Sequence, residues 1–339
     1  MGVCAVKKAV SVIAVAVAVL LVAFLVYDGI ANQETSADFF SMNTYVTAKF
    51  VGADSDECAE ETRKLTEMLD TEMLSRTSPS SAVYKLNSNG GGRIDPKIKN
   101  YLEILSDVCQ KSGGTFDFTL GAVSDLWNFG SEPTLPDENA LKDALSHSGY
   151  ENILIEDNSV SYSDKALVVD FGAAGKGIAL DEIKEFICDK KVNEAVVSVG
   201  GSVLLYGGKE FTVGIRDPHG NSGSYIAKLN LTECCVSTSG SYEQQFEKDG
   251  EFYHHILNPE TGYPADSGLL SVTVVSDSGI LSDALSTACF VLGYEKGTEL
   301  AKEFGAHAIF VTENKEIIAE DYLIDIIEIT DDSYTLVTR

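Results

Sequence analysis

The stretch Ala166-Leu-Val-Val-Asp-Phe-Gly-Ala-Ala-Gly-Lys-Gly-Ile-Ala-Leu-Asp181 decides how the centre of this chain folds. Its apolar, β-branched run Leu167–Val169 predicts a buried strand that ends at Asp170. Three glycines follow, and from Ile178 onward apolar residues recur at helical spacing. This order predicts a strand, a turn and a helix start whose backbone N–H groups could face an anion, with Lys176 as an added positive charge.

The glycine spacing in this turn matches no common nucleotide-binding fingerprint. It is neither GxGxxG nor GxxxxGK[ST], so it predicts neither a dinucleotide fold nor a P-loop. A tight strand-to-helix connection without any ligand would explain the same glycines. By itself, the turn leaves both interpretations open.

The net charge of the chain restricts its partners. Among 339 residues, 52 Asp and Glu stand against 25 Lys and Arg, which gives a net charge of −27. Such a surface repels phosphate backbones, so the sequence predicts no nucleic-acid binding. A bound polyphosphate would need local help from a lysine, backbone dipoles or a divalent cation.

The N-terminus predicts a membrane anchor. Residues 9–27 carry no charge and follow Lys7 and Lys8. A helix of this length would span about 28 Å, close to the thickness of a hydrocarbon core. The lysines predict that residues 1–8 are cytoplasmic and that the rest is exported, as a single-pass protein of the cell membrane. A cleaved signal sequence is the alternative, and residues 28–38 are predicted to be a polar linker.

The remaining residues, 39–339, predict one mixed α/β domain of the α+β type. Residues 39–51 alternate like a strand, residues 96–112 have the apolar spacing of an amphipathic helix, and residues 195–206 predict two strands that meet at Gly200-Gly201. Three cysteines occupy apolar helical positions and are predicted to be buried free thiols: Cys109, Cys188 and Cys289.

Two further stretches could carry chemistry. His254 and His255 lie in a predicted strand over residues 252–257, where they would point to opposite faces and could not chelate one ion together. Asp283 and Thr287 would share one face of a helix, where a carboxylate and a hydroxyl suit Mg²⁺ or Ca²⁺. A capped helix start with Thr287 packed inside is the alternative without a ligand.

Taken together, these motifs resemble the ApbE family of FAD:protein FMN transferases. The resemblance runs from about Phe40 to about Phe304 and follows the order of the family's motifs. It rests on Met42-Asn-Thr44, Gly114-Thr-Phe-Asp-Phe-Thr119, Leu126-Trp127, Asp170-Phe-Gly-Ala-Ala-Gly-Lys-Gly177, Ser198-Val-Gly-Gly201, Ile215-Arg-Asp-Pro218, Ser237-Thr-Ser-Gly240, Tyr253–Gly262 and Asp283-Ala-Leu-Ser-Thr287.

The resemblance implies an ApbE-like, T-fold-like domain and an Mg²⁺-dependent enzyme. It would transfer FMN from FAD to a threonine or serine hydroxyl of an acceptor flavoprotein supplied in trans, through a phosphoester bond, and release AMP. An FAD pyrophosphatase that yields FMN and AMP, or a membrane-tethered flavin-binding protein without turnover, are the alternatives.

The same resemblance assigns roles to residues. The implied catalytic residues are His255, Lys176 and Asp283. The implied FAD contacts are Met42, Thr77, Thr115, Phe116, Asp117, Asp170, Lys176 and Ile256. The implied metal ligands are the Ala173 carbonyl, Asp283, Ser286 and Thr287. Phe116, Met42 and Trp127 could line a flavin, although Trp127 fits a core position equally well.

The sequence also departs from the family pattern at four positions. Gly175 replaces a usual Ala, Asn43 replaces a small residue, Ser202 replaces a usual Asn or Asp, and Asn258 replaces a frequent Asp. The last two changes remove an acid near the implied site, which weakens the case for a carboxylate base there.

Overall fold

The computed structural model describes residues 28–221 and 223–338, together with residue 20. The predicted cytoplasmic segment 1–8 and, apart from Leu20, the predicted anchor 9–27 lie outside these described residues. Within the described part of the chain, no helix combines the length and the apolar character needed to cross a membrane.

A nine-stranded sheet forms the centre of the domain. Its order is β1-β2-β6-β7-β10-β13-β14-β15-β17, and every neighbouring pair is antiparallel except the parallel pair β15–β17. The strands are β1 (Glu34–Ser41), β2 (Thr44–Gly52), β6 (Val192–Val199), β7 (Ser202–Gly207), β10 (Cys234–Gly240), β13 (Leu269–Ser276), β14 (His307–Thr312), β15 (Glu316–Ala319) and β17 (Thr335–Thr338).

Three small sheets and eight α-helices surround this sheet, besides a short helical segment at residues 28–31 and a π-helical turn at Leu69–Met73. The small sheets pair β3 (Gly91–Arg93), β5 (Ser159–Tyr162) and β4 (Ile153–Glu156); β16 (Ile327–Ile329), β9 (Tyr225–Leu231) and β8 (Phe211–Arg216); and β11 (Gln245–Lys248) with β12 (Glu251–His254). The helices are α1 (Ser55–Met68), α2 (Ala82–Asn89), α3 (Pro96–Lys111), α4 (Gly121–Trp127), α5 (Glu138–Ser146), α6 (Gly175–Ile187), α7 (Gly279–Leu292) and α8 (Tyr294–Glu303). The mixed α/β class predicted from the sequence is confirmed.

Strands β10, β13, β14 and β15 of the central sheet are buried on both faces, whereas β1 and β2 have one exposed face. Successive side chains of a strand point to opposite faces, and β14 shows this directly. Ala308 and Phe310 belong to the core that the helices cover, whereas Ile309 and Val311 belong to a second core under β8 and β9. This burial on both faces explains why the central strands read as continuous apolar runs in the sequence.

The predicted helix over 96–112 is confirmed as α3. Asp95 accepts a hydrogen bond from the Lys97 backbone N–H, and Pro96 occupies the first helical position. A carboxylate cap and a proline at this position are both favourable at a helix start. The two strands predicted to meet at Gly200-Gly201 are also confirmed, as β6 and β7.

The segment predicted as one strand over residues 39–51 is instead a hairpin. Strand β1 begins at Glu34, inside the predicted linker 28–38, because Glu34 pairs with Val51. Met42 and Asn43 form the connection, with φ angles of 52° and 56°. Two central residues with positive φ are typical of a tight hairpin turn, which alternation alone does not reveal.

Three other predictions need correction. Leu167–Val169 is not a sheet strand: Val168 makes only an isolated bridge to Leu120, while the Asn87 side chain hydrogen-bonds both the N–H and the carbonyl of Val169. The strand predicted over 252–257 ends at His254. Cys188 is exposed because it follows the last residue of α6, whereas Cys109 and Cys289 are buried as predicted.

Candidate functional site

A cavity of about 1110 Å³ lies where the β1–β2 turn, the Gly172–Gly177 corner, β10 and α7 meet. Every residue that the resemblance assigned to FAD lines this cavity. These residues are Met42, Thr77, Thr115, Phe116, Asp117, Asp170, Lys176 and Ile256. Residues from distant parts of the sequence therefore share one concave site of the size that ligand pockets have.

Helices α6 and α7 approach each other closely beside this cavity. A Cβ atom built on Gly177 would lie 2.1 Å from the Gly279 carbonyl oxygen, and one built on Gly279 would lie 2.3 Å from the Gly177 carbonyl oxygen. Only glycine fits at such a crossing. The close contact lets the Gly177 backbone N–H donate to Asp283 Oδ2 at 2.9 Å.

The anion at the start of α6 is therefore a side chain of the protein itself. The sequence predicted backbone N–H groups that face an anion, and for Gly177 that anion is the Asp283 carboxylate. A negative charge is favoured at a helix N-terminus by the helix dipole. Asp283 is 3% exposed, so this contact helps to hold a buried carboxylate.

Lys176 provides the second partner of this carboxylate. Lys176 Nζ lies 3.5 Å from Asp283 Oδ1, which also accepts a hydrogen bond of 3.2 Å from Ser202 Oγ. The nearby Asp283 charge raises the pKa of Lys176 against the opposing effect of desolvation, and Glu243 adds to the rise. Lys176 is thus a fixed positive charge at the cavity wall.

The four implied metal ligands lie at two depths. Ala173 and Thr287 line the cavity, whereas Asp283 and Ser286 lie behind them. The Ser286 hydroxyl donates a hydrogen bond of 2.8 Å to the backbone carbonyl of Asp283, within the same helix. Ser239 Oγ lies 2.8 Å from Ser286 Oγ and 3.1 Å from Thr287 Oγ1, which fixes both hydroxyls.

This donor set fits a hard cation. Its atoms are one carboxylate, hydroxyl oxygens and a carbonyl oxygen, which Mg²⁺ and Ca²⁺ prefer and which zinc does not. Within the described ranges there is no group of three or more His, Cys, Asp or Glu side chains that could hold a metal ion. A cation at this site would therefore depend on one carboxylate and on neutral oxygens.

The two neighbouring histidines have different surroundings. His254 Nε2 lies 3.1 Å from the Ala265 carbonyl, and its ring meets Phe290 edge-on, so His254 is part of the packing. His255 lines the cavity, and its Nδ1 atom is buried without a hydrogen-bond partner among the described residues. Burial, together with Lys176 and His254, lowers the pKa of His255 to about 4.

Four charged residues of the cavity were given no role on the basis of the sequence: Arg76, Asp125, Arg216 and Glu243. Arg76 Nε donates to Asp170 Oδ2 at 2.9 Å, and the same guanidinium also bonds Asp125. Glu243 and Arg216 also line the cavity, and burial raises the pKa of Glu243. Arg216 belongs to the Ile215–Pro218 motif, which was quoted without a role for this residue, whereas the partners of Arg76 are remote in the sequence and gave no signal through spacing.

Trp127 is a core residue and does not line the cavity. It is fully buried, its Nε1–H donates to the Gly262 carbonyl at 2.8 Å, and it packs against Phe129, Phe246, Tyr253 and Tyr263. Of the two roles that the sequence left open for Trp127, the structure supports packing. Phe116 and Met42 do line the cavity.

The chain is similar to proteins of one known family. The model of the ApbE family matches residues 42–310. A FAD:protein FMN transferase of Treponema pallidum (strain Nichols) is 34% identical over 288 residues, which are 78% of this chain and 80% of that protein. One from Klebsiella pneumoniae (strain 342) is 34% identical over 254 residues, 73% of this chain and 80% of that protein.

Solved structures give the same result. The crystal structure of the ApbE protein from Thermotoga maritima superposes with a TM-score of 0.80 at 29% identity and covers 87% of this chain and 99% of that one. The Pseudomonas stutzeri flavinyl transferase ApbE gives a TM-score of 0.72 at 27% identity, with 83% and 91% covered. The chain belongs to the ApbE family.

Proposed function

We propose that this protein is a FAD:protein FMN transferase that moves FMN from FAD to a hydroxyl group of an acceptor protein. Family membership and the names of the relatives support the enzyme class. The single observation that carries the proposal for this chain is that Lys176 and His255 line the same cavity as all implied FAD contacts, with Asp283 paired to Lys176 behind the cavity wall.

In the proposed reaction, the acceptor hydroxyl oxygen forms a bond to the phosphorus of the FMN half of FAD. The bond from that phosphorus to the bridging oxygen breaks, and AMP leaves with this oxygen. The product is a phosphoester between FMN and a threonine or serine side chain. A hydroxyl is a weak nucleophile at neutral pH, so its proton needs an acceptor.

His255 is the proposed proton acceptor. Its lowered pKa keeps the imidazole neutral at physiological pH, and a neutral ring nitrogen can accept a proton. Lys176 would offset negative charge on the phosphate oxygens, since it keeps its proton over the same range. Met42, Thr77, Thr115, Phe116, Asp117, Asp170 and Ile256 would bind and orient the FAD molecule.

We propose Mg²⁺ as the cofactor, held by the Asp283 carboxylate, the Thr287 hydroxyl and the Ala173 carbonyl, with the Ser286 hydroxyl oxygen as a further ligand. The oxygen donors of these residues support the choice of Mg²⁺. When bound, the ion supplies the positive charge that a pyrophosphate requires on so acidic a protein.

The proposal also includes a membrane anchor at residues 9–27 and a catalytic domain outside the cytoplasm. It is based on the length of this uncharged segment and on Lys7 and Lys8, which precede it.

The test is incubation of the full-length protein with FAD, Mg²⁺ and an acceptor flavoprotein. We expect the acceptor to gain the mass of one FMN residue and AMP to appear in equal amount. AMP release that is the same without acceptor would identify an FAD pyrophosphatase, and flavin binding with neither product would identify a binding protein. Chelation of Mg²⁺ should abolish both products. Protease treatment of intact cells tests the proposed location, and it should digest the domain if the domain lies outside the cytoplasm.

A further inference from the structure

The turn between β1 and β2 holds a methionine in a conformation that it does not favour. Met42 and Asn43 both have positive φ, at 52° and 56°. Asparagine adopts this region comparatively often, whereas methionine rarely does, so surrounding contacts must hold Met42 there. Both residues line the cavity, so the turn forms part of the ligand site.

Asp70 provides one of these contacts. Its Oδ2 atom accepts a hydrogen bond of 3.0 Å from the Met42 backbone N–H. Asp70 lies in the π-helical turn Leu69–Met73 that follows α1, and such turns occur often at functional sites. Since Asp70 is half-buried and is not one of the residues that line the cavity, it meets the site through Met42.

The turn also touches the glycine corner that carries Lys176. A Cβ atom built on Gly175 would lie 3.6 Å from the Met42 Cε atom. The Met42 side chain therefore packs on the start of α6, next to the residue that neutralises Asp283. A change in the backbone at Met42 would move a wall of the cavity relative to this charge pair.

We propose that Asp70 is a positioning residue for the flavin ligand. Asp70 holds the Met42–Asn43 turn in its left-handed conformation over the glycine corner. The inference rests on the proposed function, because it takes FAD as the ligand of the cavity. A hydrogen bond to a charged acceptor is among the stronger single contacts, so its loss should release the turn. The expected result is weaker flavin binding in a protein that remains folded.

The experiment compares Asp70→Ala, Asp70→Asn and Glu72→Ala in the full-length protein. Glu72 is the matched control, since it is an exposed acid in the same π-helical turn. We expect Asp70→Ala to raise the Kd for FAD about tenfold or more, Asp70→Asn to raise it less because an amide oxygen still accepts, and Glu72→Ala to change it less than about twofold. Flavin fluorescence titration measures these constants.

A second readout follows the turn itself without any ligand. Hydrogen exchange of the Met42 amide should accelerate in Asp70→Ala and remain slow in Glu72→Ala. Asn43→Gly tests the mechanism, because glycine adopts positive φ freely. It should restore part of the FAD affinity when combined with Asp70→Ala, and a double-mutant cycle measures this coupling.

The outcomes separate the two proposals. If the wild-type protein does not bind FAD, the proposed function fails, and unchanged Met42 exchange in Asp70→Ala would overturn the positioning role as well. If the wild-type protein binds FAD but Asp70→Ala binds it equally tightly, or if Asn43→Gly restores nothing, the positioning role is wrong and the proposed function stands. Should Asp70→Ala fail to fold, Asp70→Asn decides by the same two readouts.

Discussion

Lys176 Nζ lies 3.5 Å from Asp283 Oδ1, and the two residues come from the start of α6 and the second turn of α7. The contact exists because Gly177 and Gly279 let these helices cross at backbone distance. Asp283 also accepts the Gly177 N–H, so one buried carboxylate joins both helices, the lysine and the cavity wall.

Asp283→Asn should lower product formation about 100-fold or more while FAD binding is retained. The amide cannot neutralise Lys176 or serve as an anionic metal ligand, but the residues that line the cavity are unchanged. The pKa of Lys176 should also fall, since Asp283 is the main cause of its rise. AMP release and flavin fluorescence measure the two effects. Asp277→Asn, at an exposed position just before α7, is the control, and wild-type turnover in Asp283→Asn would contradict the assignment.

Gly177→Ala should lower the free energy of unfolding by about 3 kcal/mol. The new methyl group would overlap the Gly279 carbonyl, so α6 and α7 would have to separate and the bond to Asp283 would be lost. Gly208→Ala is the matched control, because Gly208 has no atom within 4 Å of its Cβ position. Urea denaturation of both variants gives the comparison, and equal stabilities would show that the crossing tolerates a side chain.

His255 should make the protein less stable in mild acid. Its pKa is about 4 in the folded state and 6.5 in its ordinary state, so the unfolded chain binds more protons between these values. The free energy of unfolding should therefore be unaffected by His255 above pH 6.5 and should decrease as the pH falls toward 4. The expected loss is about 2 kcal/mol between pH 7 and pH 5. Denaturant unfolding at both pH values tests this. His255→Gln should show a smaller loss than the exposed control His219→Gln, and an identical loss would be evidence against the prediction.

Trp127→Phe should reduce the stability of the protein without affecting its affinity for FAD. The change leaves the Gly262 carbonyl without its donor and removes buried volume, which together should lower the free energy of unfolding by about 1–3 kcal/mol. The Kd for FAD should change less than about twofold, because Trp127 does not line the cavity. Met42→Ala is the contrast, since Met42 lines the cavity and its truncation should weaken FAD binding. A large rise in the Kd of Trp127→Phe would place this residue in the ligand site after all.

Much of the architecture follows from local patterns. Helix α3 is specified by Asp95, Pro96 and an apolar face, and β6 and β7 are specified by two apolar runs around Gly200-Gly201. These signals depend on neighbours in the sequence, so they can be recognised without the fold. The segments that were predicted wrongly are those whose hydrogen bonds go to distant residues. Val169 is bonded by the Asn87 side chain, and the hairpin register pairs Glu34 with Val51.

The sequence by itself determined the class of fold, the family motifs and the types of residue available for chemistry, because these are properties of spacing and composition. The tertiary structure alone decided that Asp283 meets Lys176 and the Gly177 N–H, that His255 and not His254 lines the cavity, and that Asp70 bonds Met42. It also decided that Arg76, Arg216 and Glu243 share that cavity. The physical reason is that these contacts join residues far apart in the chain, and only the packing of helices and strands on the central sheet sets their distances.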